Sequence, residues 1–234
     1  MSKRTSPYER ELDSILASLP EQAGPADADQ QPGGMQSPKK PTLLLHACCG
    51  PCSSYVIEYL AQYFAITIFY YNPNIHPRAE YERRLEELAG FLPRFPAAGG
   101  IQLVEAPYLP EDFYRATGVR EETELQKEAE KGERCRRCYE FRMRAAWQYA
   151  ADHAFDWFTT TLSISPFKDA DKINAIGTAL EQGQSRPRFL PSDFKKKGGF
   201  KRSLELSAEY GLYRQDYCGC VYSRENKKHP SPLV

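Results

Sequence analysis

Apolar and polar positions along the chain follow two rhythms in turn. Short apolar runs bounded by turn residues at 42–47, 66–71, 101–106 and 157–162 predict strands, because each is too brief for a helix and most are rich in branched or aromatic side chains. Between them, residues 52–63, 79–91, 111–153 and 169–181 carry helical spacing, with Glu82/Glu86 and Arg83/Glu87 placed to meet across one turn. Residues 189–190 predict a last short strand before a helix over 203–210. This order predicts an α/β fold, a parallel sheet covered by helices. Ahead of it lie an amphipathic segment at 8–19 and a polar stretch at 20–40 rich in Gly, Pro and Gln, which predicts disorder. The expected organisation is an extension over 1–40, largely disordered with a short helix, and one domain over 41–234.

Composition narrows the class. With 41% apolar residues in 234, the chain can bury one sizeable core. No segment approaches the roughly 20 apolar residues of a membrane span, and the N-terminus lacks a secretory pattern, so a cytoplasmic protein with no membrane partner is expected. Net charge is formally zero. Its distribution is uneven, however: residues 1–132 hold 13 Lys+Arg against 19 Asp+Glu, whereas 133–234 hold 18 against 12. Solvated helix faces explain such a split, and so does a basic face for a polyanion.

Cysteine changes the picture most. The seven are clustered as Cys48/Cys49/Cys52, Cys135/Cys138 and Cys218/Cys220, an odd number unlike a secreted disulfide framework. In Leu43-Leu44-Leu45-His46-Ala47-Cys48-Cys49-Gly50-Pro51-Cys52-Ser53, a strand runs into a tight turn and a helix start. The first thiols therefore sit in a strand-to-helix loop, at the sheet edge where open parallel sheets hold ligands and where a helix N-terminus favours thiolates. Cys135 and Cys138 are one turn apart on a helix, so both face one way. Cys218-Gly219-Cys220 shares a face only if extended, unless the glycine bends it. Adjacent Cys48 and Cys49 are expected to point apart and to serve two centres. The loops 71–77 and 163–168 open onto the same edge.

A closed four-thiolate zinc site uses four of these thiols and leaves three without a role. A four-iron cluster plus a second metal uses all seven. A thiol-disulfide enzyme built on Cys49-Gly50-Pro51-Cys52, with a disulfide, leaves the other clusters idle. The expected cluster ligands are Cys135, Cys138, one of Cys48/Cys49 and one of Cys218/Cys220, with the remaining thiols expected at the second metal, although spacing alone does not decide which thiol serves which centre.

Taken together, Cys48-Cys49-Gly50-Pro51-Cys52-Ser53, Tyr71-Asn72-Pro73-Asn74-Ile75, Glu80-Tyr81-x-x-Arg84, Gly132-Glu133-Arg134-Cys135-x-x-Cys138-Tyr139, Thr161-Leu162-x-x-Ser165-Pro166-x-Lys168, Asp193-Phe194-Lys195-Lys196 and Tyr213-Arg214-Gln215-x-Tyr217-Cys218-Gly219-Cys220-x-Tyr222-Ser223 resemble the QueH family of epoxyqueuosine reductases over residues 41–224. The resemblance implies a cobalamin-independent oxidoreductase that reduces epoxyqueuosine at the tRNA wobble position to queuosine, with a 4Fe-4S cluster beside a second, mononuclear metal ion expected to be iron. It also implies a Rossmann-like, nucleotide alpha-hydrolase-like parallel sheet with helices on both faces and the metal site at the strand C-terminal edge. Where those relatives carry a Ser-Gly-Gly-x-Asp-Ser phosphate loop, this chain has Ala47-Cys48-Cys49-Gly50-Pro51-Cys52-Ser53, so the glycines of a pyrophosphate cradle are missing. Some members carry a carboxylate where Cys52 stands.

On this reading the partners are tRNA carrying epoxyqueuosine and an external electron donor, and Asp193, Lys168 and Tyr217 are candidate proton donors. Arg134, Arg136, Arg137, Lys195, Lys196, Lys197, Lys201 and Arg202 are candidate phosphate contacts, with Lys195-Lys196-Lys197-Gly198-Gly199 expected to be flexible. Tyr70, Tyr71, Asn72, Asn74, Phe167, Tyr139 and Tyr217 are candidates for holding an unstacked base. The alternative is a zinc-stabilised RNA-binding module without redox activity.

Overall fold

The computed structural model describes residues 6–19, 40–183 and 185–227. In chain order the elements are α1 (Pro7–Ser18), β1 (Thr42–Ala47), α2 (Gly50–Leu60), β2 (Ala65–Tyr70), α3 (Arg78–Phe91), β3 (Gln102–Glu105), α4 (Pro110–Thr117), α5 (Glu124–Lys127), α6 (Glu133–Asp152), β4 (Trp157–Thr160), α7 (Ala170–Glu181), β5 (Arg188–Phe189), α8 (Gly199–Glu209) and α9 (Val221–Lys227). All five strands are parallel, in the order β3-β2-β1-β4-β5. Chain direction across the sheet therefore reverses between β1 and β4, and the crevice beyond their carboxyl ends is where such sheets place ligands.

Alternation along the central strands explains the layers. Leu43, Leu45, Ile66, Ile68 and Tyr70 face a core shared with α2, α3 and α8. Leu44, Phe69 and Phe158 face the opposite core against α6 and α7. With both faces covered, β1 reads as a continuous apolar run and Leu43, Leu44 and Leu45 are fully buried. Two turns from α1, Leu12 and Leu16, join the first core. Lys40 is ordered and donates to the Ala61 carbonyl at 2.8 Å, while the rest of the stretch expected to be disordered lies outside the described residues.

Two expectations change. The helical stretch at 111–153 is three helices, because Gly118 closes α4 in the left-handed region (φ 64°) and Gly132 caps α6. Residues 195–199 are an ordered turn. Lys196 N–H donates to Asp193 O at 2.9 Å and Gly199 N–H to Lys196 O at 2.8 Å. Gly199 is there because a Cβ would lie 2.0 Å from Phe194 O.

Candidate metal centre

Strand β1 delivers the first thiols to the crevice. Cys49 is the N-cap of α2, and its sulfur folds back over the first turn to accept the Cys52 N–H at 3.3 Å. That fold-back cancels the divergence expected of neighbouring cysteines, and the sulfurs of Cys48 and Cys49 lie 3.9 Å apart. With Cys52 they form a triad whose Sγ atoms all lie within 4.8 Å of one another. Among the described residues no other three His, Cys or carboxylate ligand atoms converge this closely. Gln215 Nε2 donates to Cys49 Sγ at 3.0 Å, tying the triad to the C-terminal segment.

The other four thiols line one neighbouring cavity, Cys135 and Cys138 from α6 and Cys218 and Cys220 from the loop before α9. Gly219 makes that loop, since its φ of 106° suits glycine and a Cβ would lie 2.7 Å from Ile75 Cγ1. Several bonds hold it. Gly219 O accepts from His76 N–H at 2.8 Å, and the buried Arg84 donates to the carbonyls of Cys218 and Tyr217, each at 3.2 Å. Ser223 Oγ accepts from Cys218 N–H at 3.4 Å and donates to Glu130 at 2.7 Å.

The thiols are therefore grouped as three plus four. The sequence-based division, which mixed one of Cys48/Cys49 with one of Cys218/Cys220 and the α6 pair, does not follow this geometry. A single ion with metal–sulfur bonds of about 2.3 Å brings its thiolates to within about 4.6 Å of each other. The triad approaches that spacing. All seven cysteines are free. Hydrogen bonding from Cys49 and Cys52 holds the Cys48 thiol well below its ordinary value, while burial pushes Cys49 up to about 12. In the second group, hydrogen bonding from Cys220 lowers Cys218, and burial pushes Cys138 up to about 11.

Three cations line the cavity, Arg134, Arg142 and Lys168. Arg142 on α6 is buried, and its guanidinium donates to Asn72 Oδ1. Asn72 in turn donates to the Ala47 carbonyl at 2.9 Å, so one amide links α6 to the ends of β1 and β2. Lys168, after β4, also lines the cavity. Burial opposes its charge, but Cys218, Tyr139, Cys48 and Glu130 outweigh that and raise its pKa. Beneath the triad, His46 accepts from Thr160 Oγ1 at Nδ1 (2.8 Å) and donates from Nε2 to Tyr71 O (3.2 Å). Burial and Arg142 lower it to about 3, so the ring is neutral.

The remaining candidates fall on both sides of this boundary. Lys168, Asn74 and Tyr139 line the thiol cavity, and the buried Asn74 Oδ1 and Tyr139 hydroxyl have no hydrogen-bond partner there. Asp193 lies instead in a crevice against α1 and pairs with Lys195. Tyr217 gives its hydroxyl to His76 O at 2.6 Å. Tyr70 is a core side chain whose hydroxyl donates to Tyr81 O at 3.1 Å. Phe167 is 58% exposed beside Lys168.

Arg134 is not available to a phosphate, because it is buried and donates to the carbonyls of Leu125 (2.6 Å) and Gln126 (3.1 Å). Most of the other proposed phosphate contacts are paired internally. Arg136 meets Glu133 and Glu140, Arg137 meets Glu122 and Glu133, Lys197 meets Asp13, Lys201 meets Glu205 and Arg202 meets Glu58. Sequence reasoning overlooked Arg142, Gln215 and Glu130 as parts of the site. Arg142, one turn beyond Cys138 on the same helix face, carried a readable signal in its spacing.

Comparison with known proteins bears on this site. A family model described as "Epoxyqueuosine reductase QueH" matches residues 43–226. A protein of that name from Streptococcus pyogenes serotype M1 is 42% identical over 186 residues, covering 79% of this chain and 71% of the relative. Its counterpart in Staphylococcus aureus is 40% identical over 186 residues, 79% and 76% of the two chains. The Thermotoga maritima protein is 33% identical over 194 residues, 80% and 94%.

Proposed function

The chain belongs to the epoxyqueuosine reductase QueH family, and we propose that its thiol crevice is where epoxyqueuosine at the wobble position of tRNA is reduced to queuosine. It is an oxidoreductase of queuosine biosynthesis. The epoxide oxygen leaves as water, which consumes two electrons from an external donor and two protons. The observation that carries the reading is the grouping of all seven thiols, three plus four, at the carboxyl edge of the sheet.

The donor set fits a soft-metal centre. Thiolates select iron-sulfur, zinc or copper over hard cations, and a cavity of four thiols also lined by Arg134, Arg142 and Lys168 suits an anionic centre. Cys135, Cys138, Cys218 and Cys220 would hold a four-iron, four-sulfur cluster, and Cys48, Cys49 and Cys52 a mononuclear iron. Bound there, the two would supply electron transfer and a Lewis acid for the departing oxygen. The protein's own groups do the rest. The Lys168 ammonium holds a proton at the cavity, and Asn74 Oδ1 and the Tyr139 hydroxyl offer unfilled hydrogen-bond capacity to an extruded base. Asp193 pairs with Lys195 in the crevice against α1 and Tyr217 gives its hydroxyl to His76 O, so in this reading the proton-donating role falls to Lys168. Free cysteines suit a cytoplasmic setting, and no helix among the described residues is long and apolar enough to cross a membrane.

The test is anaerobic reconstitution with iron and sulfide, followed by turnover of epoxyqueuosine-containing tRNA with a chemical reductant, read by nucleoside mass spectrometry. Queuosine should form, and Cys135→Ala should lose both the absorbance near 400 nm and turnover. A Cys135→Ala protein with wild-type iron, sulfide and turnover overturns the assignment. A colourless protein that binds only zinc supports the RNA-binding alternative.

A further inference from the structure

Buried cations need a counter-charge, because leaving an ionised group unpaired in the interior costs several kcal/mol. Arg142 is 2% exposed, yet its side-chain hydrogen bond goes to a neutral amide and its Nε has no partner. Among the described residues it forms no ion pair with a carboxylate. Lys168, which is half-buried, likewise forms none. Glu130, the one carboxylate in the same cavity lining, accepts from Ser223 and lies outside ion-pair distance of both cations. The third cation of the lining, Arg134, donates to the carbonyls of Leu125 and Gln126, whereas Arg142 and Lys168 share the cavity with the four thiols.

Resting on the reading of these thiols as metal ligands, we infer that Arg142 and Lys168 are the built-in counter-charge of the four-thiolate centre and set its reduction potential. Adding an electron to a thiolate-bound cluster makes an already anionic centre more negative. A fixed positive charge in a low-dielectric wall therefore stabilises the reduced form more than the oxidised one. Removing either charge should make the centre harder to reduce. Arg142 has a second, structural duty toward Asn72, so the two roles must be separated. An Arg142→Gln side chain keeps an N–H donor without the charge, and Arg142→Lys keeps the charge with a different shape.

The experiment is a redox titration of the full chain, reconstituted anaerobically with iron and sulfide and followed by electron paramagnetic resonance. At the wild-type midpoint potential, the reduced-to-oxidised ratio should fall about tenfold in Arg142→Gln and in Lys168→Met, about 59 mV for a one-electron couple. Arg142→Lys and Lys168→Arg should recover most of it. An unchanged ratio in cluster-loaded Arg142→Gln and Lys168→Met overturns the proposal, as does a shift that the charge-conserving variants fail to reverse. If the neutral variants do not load, the charge-conserving ones must. Loss of iron and sulfide in all four overturns the electrostatic role in favour of a purely structural one. Wild-type protein that takes up no iron or sulfide refutes the underlying metal assignment, a result distinct from all of these.

Discussion

The thiol cavity and the lysine-rich turn leading into α8 both contain cations, in opposite circumstances. In the turn, Lys195 and Lys197 are neutralised by Asp193 and Asp13, and Lys197 with its partner is about half exposed. In the cavity, Arg142 is withdrawn from water and Lys168 partly so, and neither forms an ion pair with a carboxylate among the described residues. Counting charges along the chain ranks the turn first, since it holds three consecutive lysines. Burial and pairing rank the cavity first. An exposed, paired lysine changes little when removed, typically less than about 1 kcal/mol, whereas a buried unpaired cation marks a place where negative charge is expected.

The largest expected effect lies in the cavity loop. Gly219→Ala forces a side chain into the left-handed region, at about 1–2 kcal/mol, and against Ile75, so Cys218 and Cys220 should no longer reach α6 together. Iron and acid-labile sulfide after reconstitution should fall to near background while the fold persists by circular dichroism. Normal loading would remove this loop from the centre and weaken the contrast with the turn.

Next comes Asn72→Ala, which leaves Arg142 and the Ala47 carbonyl without their shared partner. Losing a buried amide bonded to a charged group should cost about 2–3 kcal/mol, lowering the melting temperature by about 4–12 °C in a chain of this size. Iron content should fall as well, because Arg142 loses its orientation. A thermal shift below about 1 °C would show that the link is incidental.

The smallest effect belongs to the turn. Neutralising Lys195, Lys196 and Lys197 together should change the slope of log affinity for tRNA against log salt by less than about 1, the contribution of a single phosphate contact. Among the described residues Lys196 is the one of the three that forms no ion pair, so Lys196→Ala alone should reproduce the whole change. A slope reduced by two or more would mean that the internal pairs exchange for phosphates on binding, and the comparison between the two regions would fail.

Much of the fold was legible because its signals are local. The run Leu43-Leu44-Leu45 ending in Cys48 reads directly as a central strand meeting a helix cap, and β1 spans Thr42–Ala47 as its apolar pattern predicts. The spacing of Cys135 and Cys138 likewise announces a shared helix face. The breaks at Gly118 and Gly132 were missed because good helix formers surround them, and backbone conformation rather than propensity ends the helices there.

By itself the sequence determined the alternation of strands and helices, the three cysteine clusters and the loops that carry them, since periodicity and motif spacing act over a few residues. Tertiary structure alone decided that Cys48 and Cys49 converge, that Cys218 and Cys220 join the α6 pair, that Arg134 is buried and that Asp13 claims Lys197. Each of those outcomes depends on the angle of a capped turn or on a partner far away in the chain. A charge or a thiol acquires its chemistry from what the fold places against it.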